Sequence, residues 1–445
     1  MPKSRDETPG DPTRLVDTQG ESMRVLLFSI VEHAPVPEDH FAELEGLCQT
    51  AEIIPVGTLA QVRRTPSPSH YFGKGKVDEL AELTRELDAS AVVCDEELSP
   101  VQGRNLEKAL DVRVLDRSEL ILSIFAARAR STQARLQVEL AQLQYQMPRL
   151  KRLWTHLDRE RGGTGALGGM GEKQISIDRR LLAGRIQTLR RRLREIEARK
   201  RREVDARRKE FLVSLVGYTN AGKSTLMNAM TGASVLEENR LFSTLDTRTR
   251  RWDLGEGRHA LLSDTVGFIR KIPHNLIASF HATLTEALEA DLLLVVADVG
   301  DPHCEQRLET VLDVLDQVGA RGKEMIPVFN KVDAVADRGL LPLLDHQFPG
   351  SVAVSARSGE GLSVLADRVR QRLDASSEEV WLRIPHERSA IQARLRAAVT
   401  VLEARYGPTS AFFRVLASPA ALEQLEAREV EQVPADQVEA DGSSG

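Results

Sequence analysis

Residues 211–225 read FLVSLVGYTNAGKST, an apolar run of strand length leading into Gly217-x-x-x-x-Gly222-Lys223-Ser224. Glycines at those positions let successive backbone N–H groups turn inward around a phosphate, at the positive end of the helix that LMNAM begins. Lys223 is suited to neutralising the β- and γ-phosphate oxygens, and the Ser224 hydroxyl to ligating Mg²⁺. A strand before the motif and a helix after it are the context that separates a phosphate loop from a chance match.

Downstream the pattern continues as strands alternating with helices: HALLSD, DLLLVVAD, EMIPVFN and SVAVSA are the strand candidates. This predicts a doubly wound, mostly parallel α/β domain over 210–375. Polar residues at the strand ends choose the base. In Asn330-Lys331-Val332-Asp333, a carboxylate at Asp333 can accept from both guanine N1–H and the 2-amino group. Adenine offers neither donor, and sites that hydrogen-bond their ligand in this way reject the wrong one by roughly 10⁴–10⁵-fold. Ser355-Ala356-Arg357 ends the next strand, where the Ala356 N–H is placed to meet guanine O6.

Asp264-Thr265-Val266-Gly267 ends HALLSD. Asp264 suits an outer contact to Mg²⁺, and the Gly267 N–H suits the γ-phosphate. Thr244, in LFSTLD, has two readings. It completes the metal's ligands only when the γ-phosphate is present, which makes a switch, or it is an ordinary loop threonine. Together these residues imply GTP hydrolysis by water to GDP and phosphate, with Lys223, Thr244 and Gly267 closest to the chemistry. Phe268 stands where small GTPases carry a water-orienting glutamine. Unassisted turnover is therefore expected to be slow, on the order of 10⁻⁴–10⁻² s⁻¹, with help from a partner or an ion. Asn220, fourth in the phosphate loop, is where potassium-activated GTPases place an asparagine; closing the loop is its alternative role.

Upstream, RVLLFSI, AVVCD and VRVLD are strand candidates separated by helical stretches such as VDELAELTREL, predicting a small parallel α/β domain over 23–130. The region 131–209 is helical. Leu136, Leu140, Leu143 and Met147 form one stripe, and Leu182, Ile186, Leu189, Leu193 and Ile196 form another. Matching seams suggest an antiparallel hairpin. RGGTGALGGMGEK interrupts it, and its glycines argue against a long helix through that stretch. Residues 179–209 hold 14 lysines and arginines against 4 acidic residues, so an anionic partner, RNA above all, is the leading reading beside a solvated face. HYFGKGK, residues 70–76, is either a loop that holds an anion or RNA before its helix or a simple turn.

WLRIP, a helical stretch from Ser389 and FFRVL suggest a small α+β appendage over 380–428. Residues 1–22 and 434–445 read as disordered tails. At 445 residues and 41% hydrophobic the chain should form several cored domains. Its net charge of −6 says nothing about partners until its distribution is considered. Cys48, Cys94 and Cys304 lack metal-ligand spacing and read as spectator thiols in a reducing compartment. His274, His281 and His303 have no ligand partners in sequence and receive no role. The start carries no secretory signal, and the longest apolar run, 292–297, is far short of the ~20 residues that span a bilayer. A cytoplasmic monomer, in part associated with ribosomes or a membrane surface, is the expectation.

Taken together, GYTNAGKST, FSTLD, DTVGFIRKIPHNLIASFHATLTEALEAD, NKVD and GGTGALGGMGEKQISIDRR resemble the HflX family of ribosome-associated GTPases. FGKGKVDEL and LAQLQYQMPRL extend the resemblance to roughly residues 24–375. It implies binding to the large ribosomal subunit and its RNA, and splitting or rescue of stalled ribosomes under stress. It implies nucleotide contacts from Gly217, Tyr218, Thr219, Asn220, Ala221, Gly222, Lys223, Ser224 and Thr225, then from Phe242, Ser243, Thr244, Leu245 and Asp246. Asp264, Thr265, Val266 and Gly267 follow, with Asn330, Lys331, Val332, Asp333, Ser355, Ala356 and Arg357 around the base. Ser224 and Thr244 would ligate magnesium, with Asp264 behind them and Asn220 available to K⁺. Gly162, Gly163, Gly165, Gly168, Gly169 and Gly171 would face RNA with Arg190, Arg191 and Arg194; a flexible linker is the plainer reading of those glycines. The chain departs from the family at Thr247-Arg248, where Pro-Thr is common, and at GGMGE, residues 168–172, where GPGE is common. A GTP-regulated RNA-binding factor for subunit assembly is the alternative function. An ATP-dependent enzyme built on the N-terminal domain is a third, without a phosphate loop there to support it.

Overall fold

The computed structural model describes residues 22–150, 168–205, 210–232, 241–242, 247–255, 258–271, 289–320, 322–335 and 337–388, and most positions between 391 and 438. For 168–175, 197 and 200–205 it gives the backbone alone. The described residues form two compact units. The first contains those up to Glu195 with residues 241–242 and 269–271; the second contains the rest.

The first unit opens with a parallel sheet of β1 (Arg24–Val31), β2 (Ile54–Val62), β3 (Ala91–Cys94) and β4 (Arg113–Asp116), in the order β2-β1-β3-β4. Helices α1 (Ala42–Thr50), α2 (Lys74–Glu86), α3 (Pro100–Leu110) and α4 (Arg117–Arg128) connect or follow its strands. β1 and β3 read as continuous apolar runs because they are central strands buried along their length. β2 escapes sequence reading for the opposite reason. It is an edge strand, carries Pro55 and Gly57, and buries only Leu59. α3 starts at a capping box, Ser99 and Gln102 each bonding the other's backbone N–H.

HYFGKGK proves to be a turn that plugs this core. Tyr71 and Phe72 are buried against Phe28, with ring centroids 5.9 and 5.3 Å away. The Tyr71 hydroxyl accepts from the Ile30 N–H at 3.1 Å, and the Gly73 N–H donates to Gln61.

α5 (Thr132–Gln146) and α6 (Gly168–Asp205) supply the expected seam. Leu136, Leu140, Leu143 and Met147 pack with Ile186, Leu189 and Leu193, and Glu139 pairs with Arg185 at 2.7 Å. Leu182 and Ile196 lie outside this cluster. One expectation needs correction: Gly168, Gly169 and Gly171 lie within helical backbone. Each glycine costs about 1 kcal/mol relative to alanine, but all three fall in the opening turn of a 38-residue helix, where propagation from the following residues outweighs the cost. Gly162, Gly163 and Gly165 lie outside the described residues.

The second unit carries β5 (Leu212–Gly217), β6 (Arg248–Gly255), β7 (Arg258–Asp264), β8 (Leu292–Asp298), β9 (Glu324–Asn330) and β10 (Val352–Ala353), in the order β10-β9-β8-β5-β7-β6. All neighbours are parallel except β6, which runs antiparallel to β7. Helices α7 (Lys223–Thr231), α8 (Cys304–Gln317), α9 (Leu340–Gln347) and α10 (Leu362–Ala375) belong to the same domain. Val213, Leu215, Leu226, Leu262, Leu294, Val328 and Val369 share one core. The chain leaves β5 to build β6 and β7 on one side, then returns to build β8 on the other. The carboxyl end of β5 is therefore a topological switch point, the crevice where open α/β sheets bind ligands.

An antiparallel sheet of β11 (Glu378–Pro385), β12 (Thr400–Tyr406), β13 (Ser410–Ala417) and β14 (Glu431–Val433) follows, in the order β12-β13-β11-β14. Leu382, Ile384, Phe413 and Val415 fill a core with Leu395, Leu422 and Leu425. Phe412, Trp381, Val433 and Val438 form a separate cluster. Val438, within the expected tail, is thus buried; residues 1–21 lie outside the described residues. Among the described residues no helix is long and apolar enough to cross a membrane. Cys48, Cys94 and Cys304 are free and buried.

Candidate functional site

The phosphate loop is shaped by what its glycines must avoid. Gly217 has φ +153°, and a Cβ there would stand 2.2 Å from the Val296 carbonyl oxygen. Gly222, at φ +88°, would push a Cβ to 2.3 Å from the Asn330 amide nitrogen. Both positions therefore require glycine, one to lie against β8 and the other to meet the base-reading segment.

Lys223 is buried at the head of α7, and its ammonium donates to the Gly217 and Tyr218 carbonyls at 3.1 and 2.9 Å. Burial lowers its pKa to about 8, with Asp264 opposing the shift. A phosphate arriving in the loop would supply the missing negative charge and hold the amine protonated. Ser224 Oγ donates to Asp264 Oδ2 at 2.7 Å, bringing a hydroxyl and a carboxylate oxygen together. Hard oxygen donors of this kind suit Mg²⁺. Thr225 continues the helix, and Thr265 anchors the far side by donating to the Leu215 carbonyl at 2.7 Å.

Gly267 fits tightly against the loop: a Cβ would stand 2.9 Å from both Lys223 Nζ and Thr219 Cα. Phe268 then closes onto the loop through its backbone. Its N–H donates to the Gly217 carbonyl at 3.0 Å, and its carbonyl accepts from the Thr219 N–H at 2.7 Å. Its ring is buried, so no part of this residue is available to orient water. Val266 is half-buried. Asn220 has φ +63° and an exposed side chain that makes no hydrogen bond to the described residues.

The base-reading residues form one bonded set. Asn330 donates to the Ala221 carbonyl at 2.9 Å and accepts from the Ala356 N–H at 3.0 Å, so it ties the phosphate loop to the segment after β10. The Ala356 N–H expected to meet guanine O6 is thus already bonded to Asn330, whose short side chain bridges the two loops. Lys331 donates to the Asn220 carbonyl at 2.9 Å and to Asp298 at 2.6 Å. Val332 is buried beneath, while Asp333 and Arg357 are exposed. Ser355 Oγ donates to Asp333 at 2.6 Å, and this bond leads the causes that hold the carboxylate below its usual range. Asp298 was missed in sequence; its position at the end of DLLLVVAD was the available signal. Arg307 was missed too. It lies over the Tyr218 ring, 4.9 Å from the centroid, and bonds Asp301.

Ser243, Thr244, Leu245 and Asp246 lie outside the described residues. Phe242, just before them, belongs to the first unit, where it packs edge-on against Phe125 with ring centroids 4.6 Å apart. In the same unit Lys271 pairs with Asp95 at 3.4 Å and Glu96 at 2.9 Å. Arg190, Arg191 and Arg194 are exposed on α6, and the nearest acid to Arg191 is Glu195 at 3.9 Å.

Three family models match in succession: "GTP-binding GTPase N-terminal" over residues 38–126, "GTP-binding GTPase Middle Region" over 128–208, and "50S ribosome-binding GTPase" over 212–331. GTPase HflX of Magnetococcus marinus is 43% identical over 386 residues, spanning 86% of this chain and 89% of that one. The chain belongs to the HflX family. The HflX of Escherichia coli K12 is 42% identical over 357 residues, covering 79% of this chain and 83% of its own. Among solved structures, a GTP-binding protein from Sulfolobus solfataricus in complex with GDP is 25% identical with a TM-score of 0.41, covering 79% of this chain and 98% of that chain. The departures at Thr247-Arg248 and at residues 168–172 therefore fall within a family member.

Proposed function

We propose that this HflX-family chain is a GTPase whose nucleotide state controls its association with the large ribosomal subunit, and that it splits or rescues stalled ribosomes. The observation that carries the nucleotide half is Asn330, bonded at once to the phosphate loop and to the loop that carries Ser355. Base and phosphates are then read by one rigid set, so a guanine that satisfies Asp333 is placed with its phosphates against Lys223. The ribosomal half is supported by the family model over residues 212–331 and by the exposed arginines of α6.

In this reading Lys223 holds the β- and γ-phosphate oxygens, and the Gly267 N–H meets the γ-phosphate. Ser224 and Asp264, with Thr244, would hold Mg²⁺, which supplies positive charge where the transition state spreads negative charge. The buried Phe268 leaves water unoriented, so turnover alone is slow and ribosomes accelerate it. Reversing charge at Arg190, Arg191 and Arg194 should weaken ribosome binding and flatten its salt dependence, since fewer phosphate counterions are released. GTP affinity should not change. Binding that stays the same across a salt series would return α6 to a solvated face.

The unbonded side chain of Asn220 suits a ligand to K⁺ beside the β- and γ-phosphates. Single-turnover hydrolysis should be roughly tenfold faster in K⁺ than in Na⁺ at equal ionic strength, the worth of about 1.4 kcal/mol at the transition state. Asn220→Ala should erase the difference. Equal rates in both salts for the wild type, with and without ribosomes, would assign the stimulation to the partner's own groups.

A further inference from the structure

β6 reads RTRRWDLG, and its first four residues face solvent wholly or in part while Trp252 and Leu254 are buried. It is the edge of the six-stranded sheet, so among the described residues one side of the strand has no neighbour in the sheet. Arg248 and Arg250 project to one face and Arg251 to the other, by the two-residue period of a strand. Among the described residues no carboxylate lies within ion-pair distance of any of the three. Asp253, on the same strand, has its carboxylate bonded to the Gly255 N–H at 2.9 Å.

Three other exposed arginines of this unit are matched. Arg338 pairs with Glu360 at 2.8 Å, Arg372 with Glu324 at 3.1 Å, and on the C-terminal sheet Arg405 pairs with Glu403 at 2.8 Å. The β6 arginines have no such partner among the described residues and stand together on one strand. Arg248 also stands in register with Asp264, so the arginine edge begins beside the strand end that carries the Ser224–Asp264 pair.

We infer that the β6 edge is a contact for the phosphate backbone of large-subunit RNA, separate from the α6 arginines; this rests on the ribosome-binding reading above. Guanidinium forks match phosphate oxygens in geometry as well as charge. Arginines displayed on both faces of a free edge can grip a backbone without reading sequence. Basic residues on edge strands also serve to prevent strands from pairing edge to edge. The two roles part under charge reversal, because glutamate blocks edge pairing equally well and repels phosphate.

The test is binding of the full-length protein, loaded with a non-hydrolysable GTP analogue, to purified large subunits across a salt series. Wild type, R250E/R251E, R250K/R251K and the α6 variant R190E/R191E/R194E are compared. R250E/R251E should bind tenfold or more weakly, and its slope of log affinity against log salt should fall by about 1.5, the value of two phosphate contacts. R250K/R251K should retain most of the affinity, and the GTP analogue should bind all four proteins alike. Binding by R250E/R251E equal to wild type, with the same slope, overturns the inference while leaving the ribosomal reading intact. Failure of wild type itself to bind overturns that reading, and this one with it. If R250E/R251E loses binding to subunits but keeps it to deproteinised subunit RNA, the edge meets ribosomal protein and the inference is wrong.

Discussion

Asp333→Asn is expected to exchange guanine for xanthine preference, a swing of about 10⁴-fold in relative affinity. The Ser355 hydroxyl, 2.6 Å away, keeps the Asp333 carboxylate ionised and fixes one of its oxygens. Guanine N1–H and 2-amino groups satisfy that acceptor. Asparagine presents one acceptor and one donor, the pattern that the N1–H and 2-oxo edge of xanthine complements. Competition binding between GTP and XTP measures the swing. A variant that keeps its full preference for GTP would show that residues 330–333 do not read the base.

The second large effect concerns the first unit, where buried charges cluster at the carboxyl ends of β3 and β4. Arg117, 1% exposed, donates to Asp95 at 2.7 Å and bonds Glu43 as well. Replacing it by leucine removes the buried guanidinium from both carboxylates, with Lys271 still 3.4 Å from Asp95, a loss of about 3–5 kcal/mol. Amide hydrogen exchange in β1 and β3 of the full chain should show it as lost protection. Unchanged protection would mean that Asp95 and Glu43 draw nothing from Arg117.

The same region has a pH signature. Burial raises the pKa of Asp116 from 3.8 to about 6, and the nearby Arg149 opposes the shift. The folded state therefore holds a proton that the unfolded chain releases between pH 6 and 4. Stability from this group is fully present below about pH 4 and is lost as pH rises through about 6, a cost of roughly 3 kcal/mol at neutral pH. Asp95 is shifted upward too, also by burial first. Removing Arg117 raises Asp95 further, so the damage in Arg117→Leu should shrink on going from pH 7 to pH 5.

What the sequence revealed and what it concealed follow burial: the edge strands β4 and β10 were still legible because short apolar stretches, VRVL and VAV, mark them. β1, β3, β5 and β8 are central strands, and they announce themselves as unbroken apolar runs. β2, β6 and β12 lie at sheet edges and carry polar residues outward, so no such run exists to find. The phosphate loop and Asn330 to Asp333 were legible because each function dictates residue types at fixed spacing. Asp298, Arg307 and the bond that occupies the Ala356 N–H depend on segments far apart in sequence meeting in space. HYFGKGK was ambiguous because a glycine before a helix suits an anion and a turn equally, and the packing of Tyr71 and Phe72 on Phe28 joins segments far apart in sequence. The glycines at 168–171 misled because local cost was weighed without the length of helix behind them.

The central claim is that nucleotide state governs attachment to the large subunit. Its most direct test is co-sedimentation of the protein with purified large subunits in three states: bound to a non-hydrolysable GTP analogue, bound to GDP, and nucleotide-free. The account predicts strong association in the GTP-analogue state, and at least tenfold weaker association in the other two. Equal sedimentation in all three states would contradict it.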